Sequence, residues 1–313
     1  MKPFGPKRLP LEIRVESGLL HKAGALLSPP GGGSRRFLYV CDLPDTDPAP
    51  SALLASLEKA GQTVVRLPDG EYPDYPSDVD ALLIVGDAGK IGGAIAAIAD
   101  DYYPGLPYVL VPTTFAAQLG FAFGEGPGLV LCDPSLPVTD ADNKRGLIDL
   151  IRYAVGFDRL LFDLLYTDFD RASVIRRCLA VRCDLLDAGK TDLYDRLGAP
   201  LGDAVKRALA NAGSNDLDDA DALAIGLVTA TRHALKTGFC RQDFLSDLVG
   251  LLSYRGLPNS ALISDAELIA AAKEIAREDG SLPLSLPLSL PRRLGECGLV
   301  TVSPNDLVGL LPS

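Results

Sequence analysis

The stretch Asp78–Gly120 holds the residues of this chain best spaced for chemistry. Within it, Gly86–Gly93 (GDAGKIGG) follows an apolar run and opens a helix-like segment, and Pro112–Thr114 (PTT) follows a second apolar run. Glycines between a strand and a helix let backbone amides approach a pyrophosphate, and the helix N-terminus favours its charge. The spacing departs from the usual dinucleotide fingerprint, so a tight turn needing positive φ is the plain alternative. The hydroxyls of Thr113 and Thr114 stand on a loop after a strand, where open sheets bind ligands; a turn or helix cap is the competing role.

The surrounding elements are those that would position such a loop. Leu11–Val15, Phe37–Cys41, Thr63–Leu67, Ala81–Val85 and Tyr108–Val111 read as strands. Gly18–Leu27, Ser51–Ala60 and Gly92–Asp100 read as helices, with a Pro/Gly break at Ser28–Arg36. Strand–helix alternation predicts a parallel sheet covered on both faces. From Asn143 to Ala276 the apolar spacing turns helical. The chain therefore divides into an α/β domain over residues 1–138 and an all-α domain over 139–313, with the cleft between them as the default ligand site. Near the end, Leu282–Pro291 (LPLSLPLSLP) excludes a helix and predicts extended or edge-strand structure.

Composition narrows the partners. The chain has 313 residues, 47% hydrophobic and 23% charged, with a formal charge of −11. That balance suits a globular protein and argues against a nucleic-acid partner, whose phosphates draw on clustered Lys and Arg. No run has the roughly 20 apolar residues of a membrane span, and no signal-type apolar core follows the N-terminus. Cys41, Cys132, Cys178, Cys183, Cys240 and Cys297 are scattered without metal-type spacing, which suits reduced thiols and a cytoplasmic protein.

Several blocks occur in one order: Leu67–Glu71 (LPDGE), the IVG turn, Gly105–Gln118 (GLPYVLVPTTFAAQ), Leu131–Thr139 (LCDPSLPVT) and Arg145–Tyr153 (RGLIDLIRY). With Leu201–Val205 and Asp219–Gly226 (DADALAIG), this order resembles the dehydroquinate synthase family, the sugar phosphate cyclases. Iron-dependent alcohol dehydrogenases share the two-domain plan and the PTT loop, but the AAQ continuation is closer to the cyclases. The resemblance implies NAD bound beside a helical domain, a zinc ion, and closure of a carbocycle from a sugar phosphate. It places Asp42, Gly70, Glu71, Gly86, Asp87, Thr113 and Thr114 at cofactor positions, and it implies a homodimer.

The departures bear on activity. The family's zinc ligands, a Glu and two His, become Asp149, Ala199 and Asp219, and a further His becomes Asp203. An Ala supplies no ligand and zinc prefers nitrogen and sulfur, so zinc is not expected. Three aspartates suit a hard cation such as Mg²⁺, with solvated helix faces as the plainer reading. Asp87 brings a carboxylate to the pyrophosphate position. Gly120 replaces an acidic residue, and Gly124–Gly128 (GEGPG) lacks a Lys. Arg152 and Arg182 remain as candidates to grip an anion. His21 and His233 read as ordinary helix residues.

Two expectations follow. The first is a divergent member that has lost the zinc-dependent site, a pseudoenzyme or a partner subunit of an active cyclase homologue. The second is an active enzyme acting on a small polyol or keto substrate with NAD or a hard cation. In that case Asp149, Asp203 or Asp219 would serve as general acid or base.

Overall fold

The computed structural model describes residues 2–41, 43–66, 78–94, 98, 103, 105–121, 128–214, 217–280 and 283–311. In chain order the elements are β1 (Leu11–Val15), α1 (Ala23–Leu27), β2 (Arg36–Cys41), α2 (Pro48–Lys59), β3 (Thr63–Arg66), β4 (Ala81–Gly86), α3 (Ala88–Ala94), β5 (Tyr108–Pro112), α4 (Phe115–Leu119) and β6 (Gly128–Cys132). There follow α5 (Asp140–Gly156), α6 (Arg159–Leu164), α7 (Arg171–Asp187), α8 (Asp192–Asp195), α9 (Ala199–Asn211), α10 (Asp219–Lys236), α11 (Gln242–Tyr254), α12 (Asp265–Glu278), β7 (Leu286–Arg293) and β8 (Glu296–Val302). None of the described helices is long and apolar enough to cross a membrane.

Two compact units emerge, Met1–Gly146 with Asp170–Asp187, and Leu147–Phe169 with Ala188–Ser313. The first holds a six-stranded parallel sheet in the order β1-β6-β5-β4-β2-β3. Every residue of β4 and β5 is buried, which is why both read as unbroken apolar runs rather than alternating ones. Leu53 and Leu57 of α2 complete the core against Phe37, Leu83 and Val85.

Three details differ from the sequence reading. The helix expected over Gly18–Leu27 shrinks to a 3₁₀ turn at Leu20–Lys22 followed by the short α1. Gly24 sits so close to α2 that an added Cβ would lie 2.0 Å from the Ser56 carbonyl oxygen. The helix expected from Gly92 starts earlier, at Ala88, and part of the predicted range lies outside the described residues. Strand β6 was not foreseen. It runs beside β1 and β5, where Gly128 passes within 2.4 Å, at Cβ, of the Tyr108 ring.

The second unit is helical with one antiparallel hairpin, β7–β8, so it is not purely α. The proline-rich segment is extended, as its composition dictates. Ser289 donates its backbone N–H to Arg196 rather than to β8. Pro287 and Pro291 share that side of the strand, so their missing N–H groups cost no hairpin bond. Helices α9 and α10 pack backbone against backbone: a Cβ on Gly226 would lie 2.2 Å from the Gly202 nitrogen.

Candidate functional site

In the second unit, Asp149 and Arg152 stand one turn apart on α5 and therefore share a face. Both are buried, at 6% and 4% exposure. Arg152 Nη1 donates to Asp149 Oδ1 at 2.9 Å, Nε to the Leu197 carbonyl at 2.8 Å and Nη2 to the Tyr194 carbonyl at 2.6 Å. Tyr194 Oη donates to the same Asp149 oxygen at 3.2 Å. The Tyr194 ring lies 4.2 Å beneath the guanidinium carbon and stacks on Tyr153 at 4.4 Å. Burial works against the Arg152 charge, but Tyr194 and Asp149 beside it outweigh that penalty and hold its pKa above the usual value.

The other acidic candidates are placed differently. Ala199 is the first residue of α9 and offers no donor. Asp219 opens α10, where an acidic side chain suits the helix dipole, and it forms an ion pair with Lys206 of α9. The Asp219 hydrogen bond and charge raise the Lys206 pKa, with further contributions from Asp203 and Asp218. Asp203 itself is exposed. Asp203 and Asp219 thus share the field of one lysine, whereas Asp149 is held by Arg152. Among the described residues no group of three or more His, Cys, Asp or Glu is arranged to hold a metal ion.

The first unit contains a cavity of about 270 Å³ lined by Thr113, Thr114, Asp47, Leu136, Thr139 and Asp142, among others. Two of its lining residues, Thr114 and Asp142, cap the start of α4. Thr114 Oγ1 accepts from the Ala117 N–H at 3.1 Å, and Asp142 accepts from the Phe115 N–H at 2.9 Å and from the Ala116 N–H at 3.4 Å. A carboxylate therefore already occupies the positive end of α4. Gln118 is buried and donates to the carbonyls of Pro112 and Asp133, a structural role. Gly86 ends β4 and accepts from the Thr113 N–H at 2.9 Å. Asp87 precedes α3, and a Cβ built on Gly89 would lie 3.4 Å from its Oδ1, so the carboxylate leans over the first turn.

Arg182 is half-buried on α7 in the first unit, whereas Arg152 belongs to the second. Asp42, Gly70 and Glu71 lie outside the described residues. Two contributors escaped the sequence reading, Asp142 and Lys206. The pattern Thr139-x-x-Asp142 at a helix start was a usable signal, since Thr139 Oγ1 accepts from the Asp142 N–H at 3.1 Å.

The fold is dehydroquinate synthase-like, and solved structures of more than one kind of enzyme share it. A 2-deoxy-scyllo-inosose synthase, complexed with carbaglucose-6-phosphate, NAD⁺ and Co²⁺, superposes with a TM-score of 0.75 at 15% identity over 98% of both chains. An iron-containing alcohol dehydrogenase of Thermotoga maritima shares the fold at a TM-score of 0.59 and 13% identity over 98% of both chains. In sequence the chain is a distant relative of the 3-dehydroquinate synthases. It is 25% identical to that of Pelobacter propionicus over 252 residues, covering 65% of this chain and 69% of the relative. It is 24% identical to that of Desulforamulus reducens over 291 residues, covering 79% and 81%. No family model matches the chain.

Proposed function

We propose that this chain is a divergent dehydroquinate synthase-like protein that has lost the zinc-dependent cyclase site. It acts as a pseudoenzyme or as the partner subunit of an active cyclase homologue in a biosynthetic pathway. The observation that carries the reading is the buried Asp149–Arg152 pair. At the position the family resemblance gives to a metal-binding carboxylate, the positive charge is a guanidinium with bonds to a carboxylate and two carbonyls. A cation entering there must displace all three. The remaining two ligand positions are an alanine and an aspartate already paired with Lys206. That donor set does not fit zinc, which prefers nitrogen and sulfur and is held in catalytic sites by three protein ligands. A cytoplasmic homodimer is the assembly proposed with it.

Calorimetry of the purified protein with Zn²⁺, Co²⁺ and Mg²⁺ tests the reading, with no saturable heat expected for zinc or cobalt. Zinc binding near one equivalent would overturn it. Co-expression with a cyclase homologue, followed by size-exclusion chromatography, separates a partner subunit from a free-standing pseudoenzyme.

The Thr113–Thr114 cavity favours a second reading, an active non-zinc enzyme on a small polyol or keto substrate using NAD or a hard cation. At about 270 Å³ the described cavity lies just below the range of ligand pockets and admits a small molecule or one part of a dinucleotide. Asp203, exposed on α9, would be its candidate for proton transfer. Saturable NAD⁺ binding together with turnover of such a substrate would establish this reading over the first.

A further inference from the structure

The second unit also carries an arginine-rich opening of about 210 Å³, built from three separate segments. Arg159 comes from the start of α6, Arg241 from the residue before α11, and Arg292 and Arg293 from the end of β7. Half of its eight lining residues are arginines, in a chain with only 30 Lys and Arg among 313 residues and a net charge of −11. The hairpin turn is seated against the end of α5 and the start of α6: Gly295 donates its N–H to the Val155 carbonyl at 2.9 Å, and at its left-handed φ of +80° a would-be Cβ lies 2.8 Å from the Arg159 nitrogen. Arg292 is braced by Phe239, whose ring centroid lies 4.6 Å from the guanidinium carbon.

Asp243 and Asp247 also line the opening, but among the described residues the nearby carboxylates do not saturate these arginines. Arg241 and Asp243 approach only to 3.9 Å, and Arg292 and Glu296 to 3.8 Å, both beyond hydrogen-bond distance. Among the described residues, Arg293 alone of the four is closely engaged, by Glu296 at 2.6 Å. Arg159 makes no ion pair among the described residues. Each guanidinium has five N–H donors in a planar fork that matches phosphate oxygens, so most donors around the opening are uncommitted. A single-charged carboxylate would leave most of them unused, whereas a compact multiply charged anion spans several forks at once.

We infer that this opening binds a small phosphate-bearing anion, a phosphomonoester or a pyrophosphate group. This assignment is independent of the reading of the Asp149 region. The test titrates the full chain with inorganic phosphate and inorganic pyrophosphate at fixed ionic strength, by calorimetry and thermal shift, with citrate as a carboxylate of comparable charge. Pyrophosphate is expected to bind saturably near one equivalent and more tightly than citrate. The double variant R241Q/R293Q is expected to weaken it by about tenfold, the loss of one or two charge-assisted bonds. These are the two most exposed of the paired arginines, at 88% and 81%, so the fold should tolerate their replacement. Arg159→Gln serves as the second variant should the double variant lose its thermal transition. Pyrophosphate binding unchanged in these variants, equal citrate binding, or a heat that only follows ionic strength would each overturn the assignment.

Discussion

Arg152 and Asp149 form an ion pair of 2.9 Å in the interior of the second unit, with Tyr194 touching both partners. Removing one member of a buried pair leaves an uncompensated charge, whereas replacing both by apolar groups can be nearly neutral. Arg152→Met is therefore expected to cost about 3–5 kcal/mol in urea denaturation, and Asp149→Leu with Arg152→Met to recover most of that. Equal losses for the single and double variants would show that the pair does not act as a unit.

The contact of α9 with α10 makes a second expectation. Gly226 meets the Gly202 nitrogen and the Gly198 oxygen at 2.2 and 2.4 Å from an added Cβ, backbone atoms that cannot rotate aside. Gly226→Ala should force the helices apart and cost about 1–3 kcal/mol by the overpacking scale. A chemical-denaturation midpoint equal to wild type would remove this account of the glycine.

Asp142 bears on both stability and ligand entry. Its carboxylate accepts from the first two N–H groups of α4, so Asp142→Ala is expected to cost about 0.5–2 kcal/mol, as loss of a helix cap does. The same change removes a negative charge from the Thr113–Thr114 cavity. Anionic ligands such as NAD⁺ should then bind more tightly in calorimetry, and an unchanged or weaker affinity would count against Asp142 as a barrier to anions.

His233 gives a pH dependence. Burial holds its pKa below the usual value of about 6.5, and the charge of Asp306 offsets this only in part. Its Nδ1 is buried and finds no hydrogen-bond partner among the described residues. The unfolded chain takes up the proton first as pH falls, so the contribution is full above about pH 6.5 and is lost progressively below it. Thermal midpoints from pH 8 to pH 5 should fall less steeply for His233→Leu than for wild type. Parallel curves would exclude His233 as the source.

The sheet was readable because its strands are buried on both faces, so β4 and β5 appear as continuous apolar runs flanked by turn residues. Strand β6 was not, because its five residues sit between a glycine-rich segment and a proline turn that look like loop. Helix α7 has a clear helical period, but periodicity does not say on which core a helix packs. It groups with the first unit. At the candidate site the types of Asp149, Asp203 and Asp219 were legible, and their partners were not. Arg152 reads equally well as an anion grip or as a counter-ion, and only three-dimensional placement turns it toward Asp149. Lys206 is an ordinary helix lysine until Asp219 is brought across from the next helix.

The positive charge beside Asp149 is covalently part of the chain. An ion borrowed from solution comes and goes with supply, competes with other ions for its place and leaves when a stronger binder appears. A guanidinium is made with the polypeptide, one per chain, and neither starvation nor a chelator can withdraw it. Whatever this region does, it carries that charge from the moment it folds.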